Sequence, residues 1–272
     1  MWWRNCLMGL ALSLSLPAFA AIQAREIPYE SPDGTRLVGY YAYDDAIKGK
    51  RPGVVVVHEW WGLNDYARRR ARELAELGYA ALAVDMYGDG KHTQHAHEAK
   101  AWMESAAANA QVSMARAQAG LELLKAQAEV DATRLAAIGY CFGGKIVLDM
   151  ARNGMDLDGV VSFHGVLATS TPAEKGKVKA RVLVLNGADD SFIPAEAIAG
   201  FKKEMDSAGV DYRFINYKGA RHGFTSTDAD RLAGENKLDV AYNAKADKAS
   251  WKEMRKFFRQ LFEDHGKHHK GY

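Results

Sequence analysis

Two cysteines occur in the chain, and one of them stands where it could do chemistry. Cys141 is the centre of Gly139-Tyr140-Cys141-Phe142-Gly143, a Gly-x-nucleophile-x-Gly run of the kind that turns sharply from a strand into a helix. Glycines are needed there because a Cβ would collide with neighbouring backbone. The turn lifts the nucleophile to the C-terminal edge of a sheet. It also aims the Phe142 N–H and the helix N-terminus at a developing oxyanion. A free thiol of pKa about 8.5 is only about 3% ionised at pH 7, so such a cysteine needs a base. The alternative is a small hydrophobe buried in a Gly-rich turn.

An elbow nucleophile is followed in the chain by an acid and then a histidine. Gly187-Ala188-Asp189-Asp190-Ser191-Phe192-Ile193-Pro194 supplies the acid and Ala220-Arg221-His222-Gly223-Phe224 the base. Either acid could be a surface turn residue, Asp189 especially, and Asp190, four residues before Pro194, is preferred. Upstream, Val54–Val57 runs into His58-Glu59-Trp60-Trp61-Gly62. In this arrangement that loop gives the second oxyanion donor, assigned to the Trp60 N–H. A carboxylate directly after a buried strand is costly unless paired, so Glu59 either caps the loop or faces the nucleophile. The two tryptophans suit an apolar pocket or plain core packing.

Weaker signals read as surface. His92, His95 and His97 have spacing that could bind a metal, but they sit in a polar loop. His265, His268 and His269 fall in a polar tail. Lys175–Lys179 has no interleaved aromatics, which gives no case for nucleic acid. No metal or organic cofactor is called for.

The elements that must position these residues alternate. Arg25–Tyr29 and Arg36–Tyr43 flank Ser31-Pro32-Asp33-Gly34 and read as an antiparallel hairpin. Strands are expected at Val54–Val57, Ala80–Val84, Leu135–Gly139, Gly159–Phe163, Ala180–Leu185 and Tyr212–Tyr217. Helices are expected at Asp65–Leu77, Ala96–Ala128 (one or two in succession), Gly143–Arg152, Ala195–Ala208 and Ala246–Phe262. This is an α/β pattern with a mainly parallel sheet covered on both faces, in one domain over 21–272.

Composition narrows the class. The chain of 272 residues is 48% hydrophobic with 36 basic and 34 acidic residues, which excludes disordered and coiled-coil chains and gives no pull toward anionic polymers. Residues Met1–Ala20 carry Arg4, an apolar run from Cys6 to Leu16, Pro17 and the small-x-small ending Ala18-Phe19-Ala20. The run is too short to cross a bilayer, which takes about 20 apolar residues. It reads as a signal peptide cleaved after Ala20 in preference to a retained anchor; both imply export, and cleavage would leave a periplasmic or secreted protein with no membrane attachment. Cys141 would then be the single thiol of the mature chain.

Together the Cys elbow, His-Glu-x-x-Gly, Gly-x-x-Asp-x-x-x-Pro and Ala-x-His-Gly-Phe resemble the dienelactone hydrolase family of α/β-hydrolases. That resemblance implies opening of lactones or esters, with Cys141 as nucleophile, His222 as base and Asp190 as its orienter. It makes Glu59 the carboxylate that holds or takes the thiol proton until substrate binds. A small-molecule ester or lactone is the implied partner, and a monomer the expected state. Two features depart from the family. Members acting on dienelactone carry arginines where this chain has Ser226 and Gly88-Asp89, and these clamp a substrate carboxylate. Lys91 and Arg221 are the candidates to compensate. The rival reading is a non-catalytic exported binding protein that keeps the fold.

Overall fold

The computed structural model describes residues 21–268, so the expected signal segment and His269 lie outside the described residues. Four consecutive valines locate the centre of the sheet. Val54–Val57 are fully buried in β3 (Arg51–Val57). Val55 and Val57 join the core on one face, Val54 and Val56 that on the other. Each such side chain stabilises the fold by about 1.5–3 kcal/mol.

Around it lie β1 (Ile22–Glu30), β2 (Arg36–Asp44), β4 (Ala80–Val84), β5 (Val130–Tyr140), β6 (Gly159–Phe163), β7 (Arg181–Gly187) and β8 (Tyr212–Tyr217). The order is β1-β2-β4-β3-β5-β6-β7-β8. β2 runs antiparallel to β1 and β4, and β3 to β8 are parallel. The expected architecture of a mainly parallel sheet with an opening antiparallel hairpin is the one observed.

Helices α1 (Asp65–Glu76) and α7 (Ala244–His268) cover one face, burying Ala71, Leu74, Met254, Phe258 and Leu261. The other face is covered by α3 (Ala110–Lys125), α4 (Phe142–Arg152) and α5 (Ala195–Ala208), with Leu121, Ile146 and Phe201.

Some elements differ from expectation. The alanine-rich run forms two helices, α2 (Ala96–Ala108) and α3. Asn109 separates them, because its side chain accepts the Val112 N–H at 3.1 Å and caps α3. β5 starts at Val130, ahead of Leu135, and a register shift between Pro52 and Gly53 accommodates the extra length. A short helix, α6 (Ala229–Asn236), was not anticipated: it buries only Ala229 and Leu232, too few for an apolar period. The α7 backbone runs on through His265 and His268, where a tail was expected.

Candidate active site

Six parallel strands end at one edge of the sheet, and each delivers a polar side chain there. His58 and Glu59 follow β3, Asp85 follows β4, Cys141 follows β5, His164 follows β6, Asp190 lies beyond β7 and His222 beyond β8. Open parallel sheets place their sites at this edge.

The turn at Cys141 is as sharp as its glycines require. Cys141 has φ 54° and ψ −114°, a strained backbone for a residue with a side chain. A Cβ on Gly139 would lie 2.0 Å from the Gly143 carbonyl oxygen, and one on Gly143 would lie 2.2 Å from that of Val57. The Cys141 N–H donates to the Phe163 carbonyl at 3.0 Å and to His164 Nδ1 at 3.1 Å. Phe142 opens α4, so its N–H has no intrahelical acceptor. The Trp60 N–H has no acceptor among the described residues.

His222 is buried beside this turn. Its Nδ1 lies 2.8 Å from Asp190 Oδ2, and Asp190 Oδ1 accepts the Phe192 N–H at 2.9 Å. Asp189 is exposed, and of the two acids it is Asp190 that lies against His222. Burial opposes a charged His222. The negative charge of the Cys141 sulfur and the hydrogen bond to Asp190 outweigh it and push the imidazole up to about 10. The Phe192 ring stands edge-on to His222, with centroids 4.9 Å apart.

Glu59 is buried in the same cavity and makes no side-chain hydrogen bond among the described residues. Burial raises its carboxyl to about 7, against the opposing pull of His222 and Arg70. The backbone around it is braced. His58 Nε2 accepts the Met86 N–H at 3.2 Å, which leaves Nδ1–H to donate to the Glu59 carbonyl at 2.5 Å. Burial holds His58 below its usual range, consistent with the neutral ring this pattern needs. Tyr87 Oη donates to the Trp60 carbonyl at 3.1 Å. Asp85 accepts N–H groups of Val38, Tyr87, Gly88 and Gly90, fixing the neighbouring loop.

His164 is the group that sequence reasoning missed. It is fully buried, with φ 42°, and its Nδ1 serves as acceptor for Cys141. Its Nε2–H therefore donates to Thr225 Oγ1 at 2.8 Å, and Thr225 Oγ1 lies 2.6 Å from Tyr66 Oη. Arg70 completes the support through the Thr225 carbonyl at 3.0 Å and Asp247 at 2.6 Å. Burial, then the nearby positive charges of His222 and Arg70, hold His164 well below its ordinary range. A lone histidine after an apolar strand carries no motif, and its partners come from the turn after β5 and the loop beyond β8.

A cavity of about 690 Å³ opens over these groups. Glu59, Trp60, Cys141, Phe142 and His222 line it, and so do Trp61, Ser226 and Leu232. The two tryptophans thus face the cavity and also pack with each other, centroids 4.9 Å apart. Neither candidate for the missing arginines reaches it. Lys91 is exposed outside the lining, and Arg221 pairs with Asp239 at 3.5 Å on the surface. Asp89 pairs outward with Arg36. Among the described residues no cluster of three or more His, Cys, Asp or Glu side chains is arranged to hold a metal; the His95 and His97 rings are 6.1 Å apart on the surface.

Similarity to known proteins agrees with this layout. Residues 37–262 match the dienelactone hydrolase family. A provisionally named carboxymethylenebutenolidase of Methylorubrum extorquens is 29% identical over 248 residues, covering 87% of this chain and 81% of its own length. A dienelactone hydrolase-like promiscuous phosphotriesterase from metagenomic libraries is 38% identical with a TM-score of 0.82, covering 89% of this chain and 99% of its own. A structure named m3DLH is 42% identical with the same TM-score and the same coverage. With the match spanning the sheet from β2 to α7, the chain belongs to the dienelactone hydrolase family and is a hydrolase of the lactone- and ester-cleaving kind.

Proposed function

We propose that the protein hydrolyses a carboxylic ester or lactone by nucleophilic catalysis through Cys141, with His222 as base and Asp190 as its orienting acid. The observation that carries this reading is one juxtaposition. A cysteine on a strained strand-to-helix turn faces the same cavity as a buried histidine, whose Nδ1 lies 2.8 Å from a buried carboxylate.

In this mechanism the Cys141 thiolate attacks the carbonyl carbon, and the carbonyl electrons move onto oxygen. The Phe142 and Trp60 N–H groups hold that oxyanion. Collapse breaks the carbon–oxygen bond, and the leaving alkoxide takes the His222 proton. A thioester remains on the sulfur. His222, now neutral, takes a proton from water, the hydroxide attacks the thioester, and Cys141 leaves as thiolate. Glu59 holds the thiol proton before substrate arrives, a role suited to a carboxyl titrating near 7. No metal or organic cofactor enters these steps.

We also propose that residues 1–20 are a signal peptide and that the protein is exported and works as a monomer. Sequencing the N-terminus of protein from a periplasmic fraction tests the first point, with Ala21 as the expected first residue. Sedimentation tests the last.

The activity is tested with p-nitrophenyl acetate and small lactones, running Cys141→Ala alongside. An aryl phosphotriester belongs in the panel, because the 38%-identical relative is described as a phosphotriesterase. Equal rates in the two proteins would sink the proposal and favour the binding-protein reading.

A further inference from the structure

The cavity has two sides, walled by different residues. One side is built around His222. The Phe192 ring meets its imidazole edge-on, Val240 bridges its backbone, and the Ala241 N–H donates to its carbonyl at 3.1 Å. Phe192, Gly223 and Val240 line the cavity there. The other side runs along α4, where Phe142 and Ile146 are joined by Met103 and Ala106 of α2, Met114 of α3 and Val166 beyond β6. These six side chains and Cys141 share one apolar cluster. In the proposed mechanism His222 protonates the leaving oxygen. The leaving group therefore occupies the His222 side, and the α4 side is left to the acyl chain.

The α4 side is apolar over a limited length. From Cys141 to Asp149 the helix rises about 12 Å at 1.5 Å per residue. Past that point the lining turns polar, with Asp149, Asn153, Ser170 and Thr171. The charges around the cavity do not suit an anion. Lys145 is the single lysine or arginine among the described lining residues, and it pairs with Asp149. Glu59 and Glu104 line the cavity as well, so three carboxyl groups stand against one lysine. An anionic acyl chain would have to break the Lys145–Asp149 pair and would face like charges. An apolar chain would only displace water from aliphatic surface, beside half-buried methionines whose side chains adapt to its shape.

We propose that the stretch of cavity along α4 is an acyl site for a neutral, apolar chain of medium length. The inference rests on the ester-cleaving reading and names its substrate class: esters and lactones with an uncharged alkyl acyl part, in preference to short ones and to those bearing a carboxylate. An extended chain of about eight to ten carbons spans the apolar stretch. A longer one meets the polar end at Asp149 and gains nothing further.

The test measures kcat/KM for p-nitrophenyl esters from acetate to dodecanoate, each below its aggregation limit, and for the anionic glutarate monoester. In wild type kcat/KM should rise about twofold to fourfold per added methylene and level off near octanoate. Hexanoate should exceed the glutarate monoester about tenfold or more. Ala106→Trp sets an indole in the apolar stretch, from a helix that buries only Ala99. It should lower the octanoate-to-acetate ratio about tenfold or more. A flat profile, a preference for the glutarate monoester, or an unchanged ratio in Ala106→Trp overturns the inference; the first two are read on wild type alone. An equally steep length dependence in a series of alkyl acetates would place the chain on the wrong side and also overturn it. A second readout needs no turnover: Cys141 should react faster with N-octylmaleimide than with N-ethylmaleimide, and Ala106→Trp should reduce that ratio. If no ester is cleaved, the ester-cleaving reading fails, and the maleimide ratio still decides whether the α4 side accepts an apolar chain.

Discussion

The floor and the roof of the cavity are built by different means. The floor consists of residues at strand ends, and almost every polar atom there has a defined partner. Cys141 is tied to His164, His164 to Thr225, His222 to Asp190, and His58 to both Met86 and Glu59. The roof over Trp61 is a small cluster of Trp61, Ala99 and Leu232, joined by Trp60 and Leu238 and contributed by α2, α6 and the loops. Hydrogen bonds that cross from strand to strand fix atoms to the tolerance chemistry demands. A few apolar contacts between short helices hold shape only loosely. In the proposed mechanism reaction falls to the strand ends and selection to the walls and roof, so the two tasks rest on different kinds of contact.

The contrast can be broken most severely at the floor. Cys141→Ala and His222→Ala should each lower kcat/KM on an activated ester about a thousandfold or more, since residues acting as a unit fail together. Asp190→Asn should cost about a hundredfold or more by disturbing the ring it orients. Rates comparable to wild type in any of the three would remove that residue from the mechanism.

A pair of variants at His164 sharpens the comparison, because Asn and Gln each copy one nitrogen of the ring. In His164→Asn, Oδ1 can still accept the Cys141 N–H; in His164→Gln, Nε2 can still reach Thr225. If holding the turn is what matters, the Gln variant loses about tenfold or more in kcat, and the Asn variant stays closer to wild type. The pH profile of iodoacetamide alkylation provides a readout that a loss of stability alone would not move. Equal losses in the two variants would refute the positioning role.

Glu59 gives an effect that depends on pH. With its carboxyl near 7 and His222 near 10, kcat/KM should rise through about pH 7 and fall above about pH 10. Glu59→Gln should abolish the lower limb. For stability the sign is worked from the unfolded value of 4.5. Between 4.5 and 7 the folded protein holds a proton that the unfolded chain has released, so folding weakens as pH rises through this window. Glu59→Gln should therefore raise stability by about 3 kcal/mol at pH 8 and by nothing below pH 4.5, read by thermal melts at the two pH values. His222, raised from 6.5, contributes stability that is fully present below 6.5 and lost as pH passes about 10.

At the roof, Leu232→Ala should be mild. It should change KM severalfold and kcat little, because Leu232 belongs to the apolar cluster with Trp61 and Ala99 and carries no polar group to the strand ends. A loss in kcat as large as that of His164→Gln would erase the distinction between the two regions.

Much of this was legible in the chain because the signals are local. The valine run, the glycines at 139 and 143, and the helical spacing from Ala67 to Leu74 each act over a few residues. Those positions became β3, the turn at Cys141 and α1. The boundary at Asn109 was harder, since alanine on either side favours helix and only the side-chain cap decides where one ends. α6 was invisible because its two buried residues form no period.

The sequence by itself determined the order of the elements and marked Cys141, His222 and the pair Asp189 and Asp190 as candidates. It did so because a strained turn and a buried strand restrict which amino acids can occupy them. Only the tertiary structure separated Asp190 from Asp189, brought His164 under Cys141 and set Lys145 in the cavity wall while Lys91 and Arg221 stayed outside. Those outcomes depend on contacts between segments far apart in the chain. Residue type and spacing restrict what a side chain can do, but the packing of the sheet decides what it meets.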